Sequence, residues 1–146
     1  MDAKALYLVQ TDTTVGFLSQ DRAKLLHVKK RDSDKEFLKV YGSFKSFKND
    51  NNRISNSHKS YVRSSKKTTF ISKNRASRIV QESQHQNFLK NFDYLFSTSA
   101  NESGKSYNYD FVKDTAEIIV ETKDGFNENR ASKMIKLSNK KKVRLR

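Results

Sequence analysis

Short apolar runs alternate with polar stretches along this chain, and their periods change several times. Residues 4–10 (KALYLVQ) hold Leu6, Leu8 and Val9 in a short apolar run, the pattern of a buried strand. Thr11-Asp12-Thr13-Thr14 ends it. Over 20–28, Ala23, Leu25, Leu26 and Val28 supply the apolar positions of a helix, with Ser19 as its N-cap. Residues 36–41 (EFLKVY) predict a strand, and Phe44 and Phe47, three apart, suit a short helix. Asn, Asp and Ser dominate 48–58, which reads as an exposed loop. Strands are expected at 68–71 and 77–80 around a Lys73-Asn74 turn. A short helix follows at 84–92, where Phe88, Leu89 and Phe92 fall at helical spacing. A strand at 94–96 then runs into a polar loop at 97–101. A helical turn at 110–116 and strands at 117–121, 134–137 and 143–145 close the chain. Helices and strands alternate early and strands dominate late. That predicts one α/β (α+β) domain over residues 1–146, a mixed parallel and antiparallel sheet with flanking helices.

Composition adds exclusions. The 146 residues are 34% apolar and 32% charged, which implies a small core beneath a heavily charged surface. Ten Phe and six Tyr in clear apolar runs argue against disorder for most of the chain. Without cysteine there are no disulfides, zinc–thiolate sites or thiol nucleophiles. Without proline, turns must be built from Asn, Asp, Ser and four glycines. No apolar run is long enough to span a membrane, and the N-terminus lacks a signal-peptide pattern. A cytoplasmic protein without membrane association is expected.

Thirty Lys and Arg against sixteen Asp and Glu leave a net charge of +14. Such a charge concentrates anions, of which nucleic acid is the commonest. Lysines spread over solvated faces account for it as well. The densest clusters are Lys29-Lys30-Arg31, Lys66-Lys67 and Lys140-Lys141-Lys142 with Arg144 and Arg146.

Several motifs fail on inspection. Gly104-Lys105-Ser106 resembles the end of a phosphate-binding P-loop, but position 99 is Ser where that pattern needs Gly. His27, His58 and His85 are far apart in sequence, with no carboxylate at metal-ligand spacing, and read as surface or packing residues. No Gly-x-Ser-x-Gly elbow occurs. Asp32 and Asp34 sit among basic residues as solvated loop charge.

Three constellations remain. Thr11-Asp12-Thr13 follows the first strand, where α/β folds gather ligands. An ordinary hydroxyl-rich turn capped by Asp12 gives the same string. Lys29-x-Arg31 ends the first helix, where cations are common for stability alone. The same pair joins a point charge to a bidentate fork, which suits a polyphosphate. The string from Ser97 to Gly104 makes a donor-rich loop suited to phosphate or ribose oxygens, or a loop bonded to itself.

Taken together these residues resemble the YrdC/Sua5 family. The string STSANxSG after an apolar strand, at Ser97–Gly104, is similar to that family's hallmark. The Thr-Asp-Thr and Lys-x-Arg elements precede it in the family's order. Thr69-Phe70-Ile71, Arg78-Ile79-Val80 and Ser132 with Met134-Ile135 resemble further family elements, and the likeness runs over nearly the whole chain. Val80 stands where the family has proline, and Val15 where it has an aromatic residue. The resemblance implies a twisted mixed α/β sheet with a basic concave face. It implies L-threonylcarbamoyladenylate synthase activity: L-threonine, bicarbonate and ATP with Mg2+ giving threonylcarbamoyl-AMP and pyrophosphate, for modification of tRNA completed by other proteins. Lys29 and Arg31 would neutralise the phosphates, and Ser99 and Asn101 would hold ATP. Thr11 and Thr13 would line the threonine end, with Arg78 and Ser132 contributing to the carboxylate or nucleotide. The other reading is a YrdC-like module that binds double-stranded RNA or tRNA without synthase chemistry.

Overall fold

The computed structural model describes residues 1–146 except Ser33, Lys35 and Glu82. The first expected strand is shorter than its apolar run, β1 (Tyr7–Gln10). It turns at once into β2 (Val15–Ser19), which the pattern did not suggest. All five residues of β2 are buried, so this strand has no polar alternation to betray it. The helix α1 (Arg22–Lys29) is capped by Asp21, not Ser19. Asp21 Oδ1 accepts from the backbone N–H of Ala23 at 3.0 Å and Lys24 at 3.4 Å. Ser19 ends β2, and its hydroxyl instead accepts from the Asp21 N–H at 2.9 Å.

Next come β3 (Leu38–Tyr41) and α2 (Phe44–Asn49), close to expectation. The expected loop at 48–58 runs partly into a helix, α3 (Asn56–Ser64), whose His58 and Val62 are buried. Val62 and the half-buried Tyr61 pack into an apolar cluster, and tertiary packing outweighs the weak propensity of the Asn/Ser-rich sequence. The hairpin β4 (Thr68–Ser72) and β5 (Arg75–Ile79) turns at Lys73-Asn74, both with positive φ, 49° and 62°. The helix α4 (Gln84–Leu89) leads to β6 (Leu95–Ser99). Ser97, Thr98 and Ser99 therefore belong to a strand and not to the expected loop. α5 (Tyr109–Thr115), β7 (Ile118–Val120), β8 (Lys133–Leu137) and β9 (Lys142–Arg144) complete the chain.

Among the described residues, nine strands form one mixed sheet in the order β7-β1-β2-β6-β3-β5-β4-β8-β9. β1 pairs with β7, β3 with β5 and β4 with β8 in parallel; the remaining pairs are antiparallel. Side chains alternate between its faces. On one face, α4 covers Tyr7, Val9, Leu18, Val40 and Leu95 with Phe88 and Leu89. On the other, Leu25 of α1 and Val112 of α5 pack on Leu8 and Phe17. Phe47 of α2 and Val62 of α3 pack on Tyr41, Phe70 and Ile79 there. The α4 face is thus left without a helix over β5, β4 and the end of β6, where Arg78, Thr69, Ser97 and Ser99 are aligned. No helix among the described residues is long and apolar enough to cross a membrane.

Candidate active site

A cavity of about 360 Å³ opens on that uncovered stretch. Thr11, Thr13, Arg31, Arg78, Ser99 and Ser132, six of the eight expected site residues, line it. Lys29 and Asn101 adjoin it through Ser99. The sequence elements far apart in the chain are thus brought to one place by β2, β6, β5 and β8 lying in register.

Arg78 sits at the centre of one half, buried on β5. Its Nη1 donates to Asp12 Oδ1 at 2.9 Å and to Thr13 Oγ1 at 3.1 Å. Its Nε and Nη2 donate to Thr69 Oγ1 at 3.2 and 3.0 Å. Four of five guanidinium hydrogens are so used, which leaves one for a ligand. Thr69 accepts twice from Arg78, so its own proton goes to Ser132 Oγ, 3.0 Å away. Ser132 Oγ also accepts from Arg146 Nη2 at 3.4 Å. The Ser132 hydroxyl proton then has no acceptor among the described residues. One guanidinium hydrogen and one hydroxyl hydrogen thus remain for a carboxylate.

The β1–β2 turn is built for this half. Thr11 Oγ1 donates to Thr14 O at 2.5 Å and accepts from the Thr13 and Thr14 N–H groups. Thr11 shapes the turn, and the Thr13 hydroxyl, 3.3 Å from Thr11 Oγ1, accepts from Arg78 Nη1. Gly16 follows because a Cβ there would lie 2.9 Å from Thr11 Cγ2 and 3.2 Å from the Thr98 carbonyl oxygen. Asp12 is flanked by Arg78 and by His85 of α4, whose Nδ1 lies 3.2 Å from the Asp12 N–H and 3.4 Å from Oδ1. Burial alone would raise the Asp12 carboxyl. The His85 hydrogen bond and the charge of Arg78 outweigh it and hold the carboxyl below its usual value. Burial, with the charge of Arg78, pushes His85 down against the pull of Asp12.

The other half contains Lys29, the last residue of α1 and 2% exposed. Lys30 takes the left-handed conformation that ends the helix, φ 48°. Lys29 Nζ donates to Asn101 O and Oδ1, both at 2.7 Å, and to Ser99 Oγ at 3.4 Å. All three acceptors are neutral. Burial and the neighbouring Arg31 push Lys29 down to about 8. Ser99 donates to Asn101 Oδ1 at 2.7 Å, and Asn101 Nδ2 donates to Lys105 O at 2.6 Å, which fixes the loop after β6. Gly104, φ 77°, permits that turn. Arg31 is exposed, its guanidinium 5.7 Å from the Phe37 ring centre.

Sequence reasoning missed His85, Thr69 as a hydrogen-bonding residue, and Arg146, which lines the cavity. Nothing local marks His85. Thr69 carried a signal, since it faces Arg78 across the predicted hairpin.

Solved structures from two organisms illustrate the shared architecture. Sua5 from P. abyssi complexed with L-threonine matches 97% of this chain at a TM-score of 0.75 and 19% identity. A variant of the same P. abyssi protein matches at 0.71 and 18%. YciO from E. coli matches 98% of this chain at 0.73 and 14%. The chain has the YrdC/Sua5 fold. It spans 50% of the L-threonine-bound Sua5 chain and 82% of YciO. The sequence matches no protein-family model and no curated protein.

Proposed function

We propose that this chain is a YrdC/Sua5 family member that forms L-threonylcarbamoyladenylate. The observation that carries the reading is Lys29: a buried cation, held by neutral oxygens, with no carboxylate paired to it among the described residues. A buried charge without a counter-ion is costly. Phosphate oxygens of a nucleotide entering beside Ser99 would supply that counter-ion. The fold it shares with a Sua5 seen with L-threonine supports the rest of the assignment.

In this scheme the threonine carboxylate takes the free hydrogens of Arg78 and Ser132. The amine nitrogen attacks the bicarbonate-derived carbon, water is lost, and a carbamate results. A carbamate oxygen then attacks the α-phosphorus of ATP and pyrophosphate leaves. Both reactants are anionic, so bringing them together is most of the task. Lys29 and the exposed fork of Arg31 offset the phosphate charge, and Ser99 and Asn101 orient it. Mg2+ arrives as MgATP. Among the described residues no three His, Asp or Glu side chains stand together to hold a metal ion of their own. The product would serve tRNA modification with other proteins.

The test is pyrophosphate release from MgATP, with and without L-threonine and bicarbonate. Release that requires both is expected. A folded protein that releases none would overturn the synthase reading in favour of a nucleic-acid-binding domain.

A further inference from the structure

His85 is a buried polar side chain that the scheme above leaves unused. It is the second residue of α4, 2% exposed, and it does not line the cavity. Its Nδ1 accepts from the Asp12 N–H at 3.2 Å. That acceptor role assigns the ring proton to Nε2, which is buried and meets no partner among the described residues. An unmet buried donor is a cost that a phenylalanine in the same place would not carry. What the imidazole supplies, and an apolar ring cannot, is the acceptor at Nδ1.

The helix that carries this acceptor is itself held firmly. Ser83 caps α4 by accepting from the Gln86 N–H at 3.1 Å. Gln86 Nε2 donates to the Gly42 carbonyl after β3, also at 3.1 Å. A Cβ at Gly42 would lie 3.1 Å from the main chain of Leu89, so the helix rests directly on that backbone. Phe88 and Leu89 pack into the apolar cluster on the sheet. The β1–β2 turn is thus pinned from two sides. Thr11 Oγ1 accepts the N–H groups of Thr13 and Thr14 from within the turn. The N–H of Asp12, next to them, is taken from outside by His85.

We infer that His85 is a positioning residue for the L-threonine end of the site: its Nδ1 fixes the main chain at Asp12 and so aims Arg78. This inference rests on the reading of that end as the threonine site. Arg78 Nη1 divides between Asp12 Oδ1 at 2.9 Å and Thr13 Oγ1 at 3.1 Å, and both acceptors belong to the turn that His85 holds. A shift of the turn moves both together, and with them the guanidinium hydrogen left for a carboxylate. A misplacement of about 1 Å can cost about 100-fold. The Lys29 end is held separately, by Ser99 and Asn101, and has no hydrogen bond to α4. Loss of the Nδ1 acceptor therefore weakens one substrate and spares the other.

Three substitutions separate the acceptor from the packed ring. H85F keeps a ring and removes both nitrogens, H85Q carries its acceptor out to the Nε2 place, and H85N keeps one near Nδ1. Calorimetry should show L-threonine bound at least about tenfold more weakly by H85F and H85Q, the worth of one ordinary hydrogen bond. H85N should restore affinity to within about threefold of the wild type. MgATP affinity should be the same in all four proteins. With no ligand present, the Asp12 amide should exchange with deuterium at least about tenfold faster in H85F than in the wild type or H85N. A wild type that takes up no L-threonine overturns the reading of the site, and this inference with it. A wild type that binds L-threonine no better than H85F overturns the inference alone. So do equal Asp12 exchange in H85F and the wild type, a loss that H85N shares in full, and a matching loss of MgATP affinity, which a merely disordered helix would give.

Discussion

Lys29 and Arg78 are both buried cations, Arg78 lining the cavity and Lys29 adjoining it through Ser99, and the protein treats them in opposite ways. Arg78 faces a carboxylate, Asp12, and spends four hydrogens on Asp12, Thr13 and Thr69. Its charge is answered within the fold. Lys29 meets neutral oxygens alone, and its ammonium is pushed down to about 8. No carboxylate among the described residues answers its charge. Arg78 therefore organises the floor of the site, and Lys29 is left for an anion. The cost of keeping Lys29 protonated near neutral pH is on the order of 3 kcal/mol. A bound phosphate would recover much of it.

Substitutions should separate the two roles. Arg78→Met leaves the Asp12 carboxylate buried and unpaired and should cost about 3–5 kcal/mol of stability. Denaturant unfolding reads it, and a loss below about 1 kcal/mol would erase the distinction. Lys29→Met should hold or raise stability at neutral pH, by up to about 2 kcal/mol. The same variant should bind MgATP at least about 100-fold more weakly, near 2.7 kcal/mol, by calorimetry. Gly16→Ala forces a Cβ against Thr11 and the Thr98 carbonyl and should cost about 1–3 kcal/mol. Because Thr11 shapes the turn that presents Thr13 to Arg78, its affinity for L-threonine should fall as well. Lys24→Gln breaks an exposed pair with Glu117 and should change stability by less than about 1 kcal/mol.

The pH dependence follows from the same cation. Lys29 is lowered from 10.5 to about 8 in the folded chain. Between those values the unfolded chain holds a proton that the folded chain has released, so this group makes stability rise with pH across that window. Phosphate binding favours the charged form. Nucleotide affinity should therefore fall by up to tenfold per pH unit above about 8, and Lys29→Met should remove that dependence.

Much of this was legible in the sequence, for identifiable reasons. The Lys-x-Arg pair and the Ser-x-Asn pair were visible as residue types because phosphate chemistry demands few of them. Their meeting was implied by the family resemblance alone, since Lys29 reaches Asn101 across 72 residues of sequence. β2 escaped because a fully buried five-residue strand with a glycine has neither alternation nor length. α3 escaped because Val62 and Tyr61 give it too little apolar stripe, and contacts with Phe70 and its neighbours hold it. Ser19 was a reasonable N-cap two residues early, since Ser19 and Asp21 both offer side-chain acceptors at the helix start. His85 was invisible because its role depends on α4 docking beside the β1–β2 turn.

The most direct measurement is the titration of the Lys29 ammonium by nuclear magnetic resonance, with and without MgATP. The account predicts a value near 8 in the free protein and an upward shift of at least one unit with nucleotide bound. An unperturbed lysine in the free protein, or one that does not move when nucleotide binds, would contradict it.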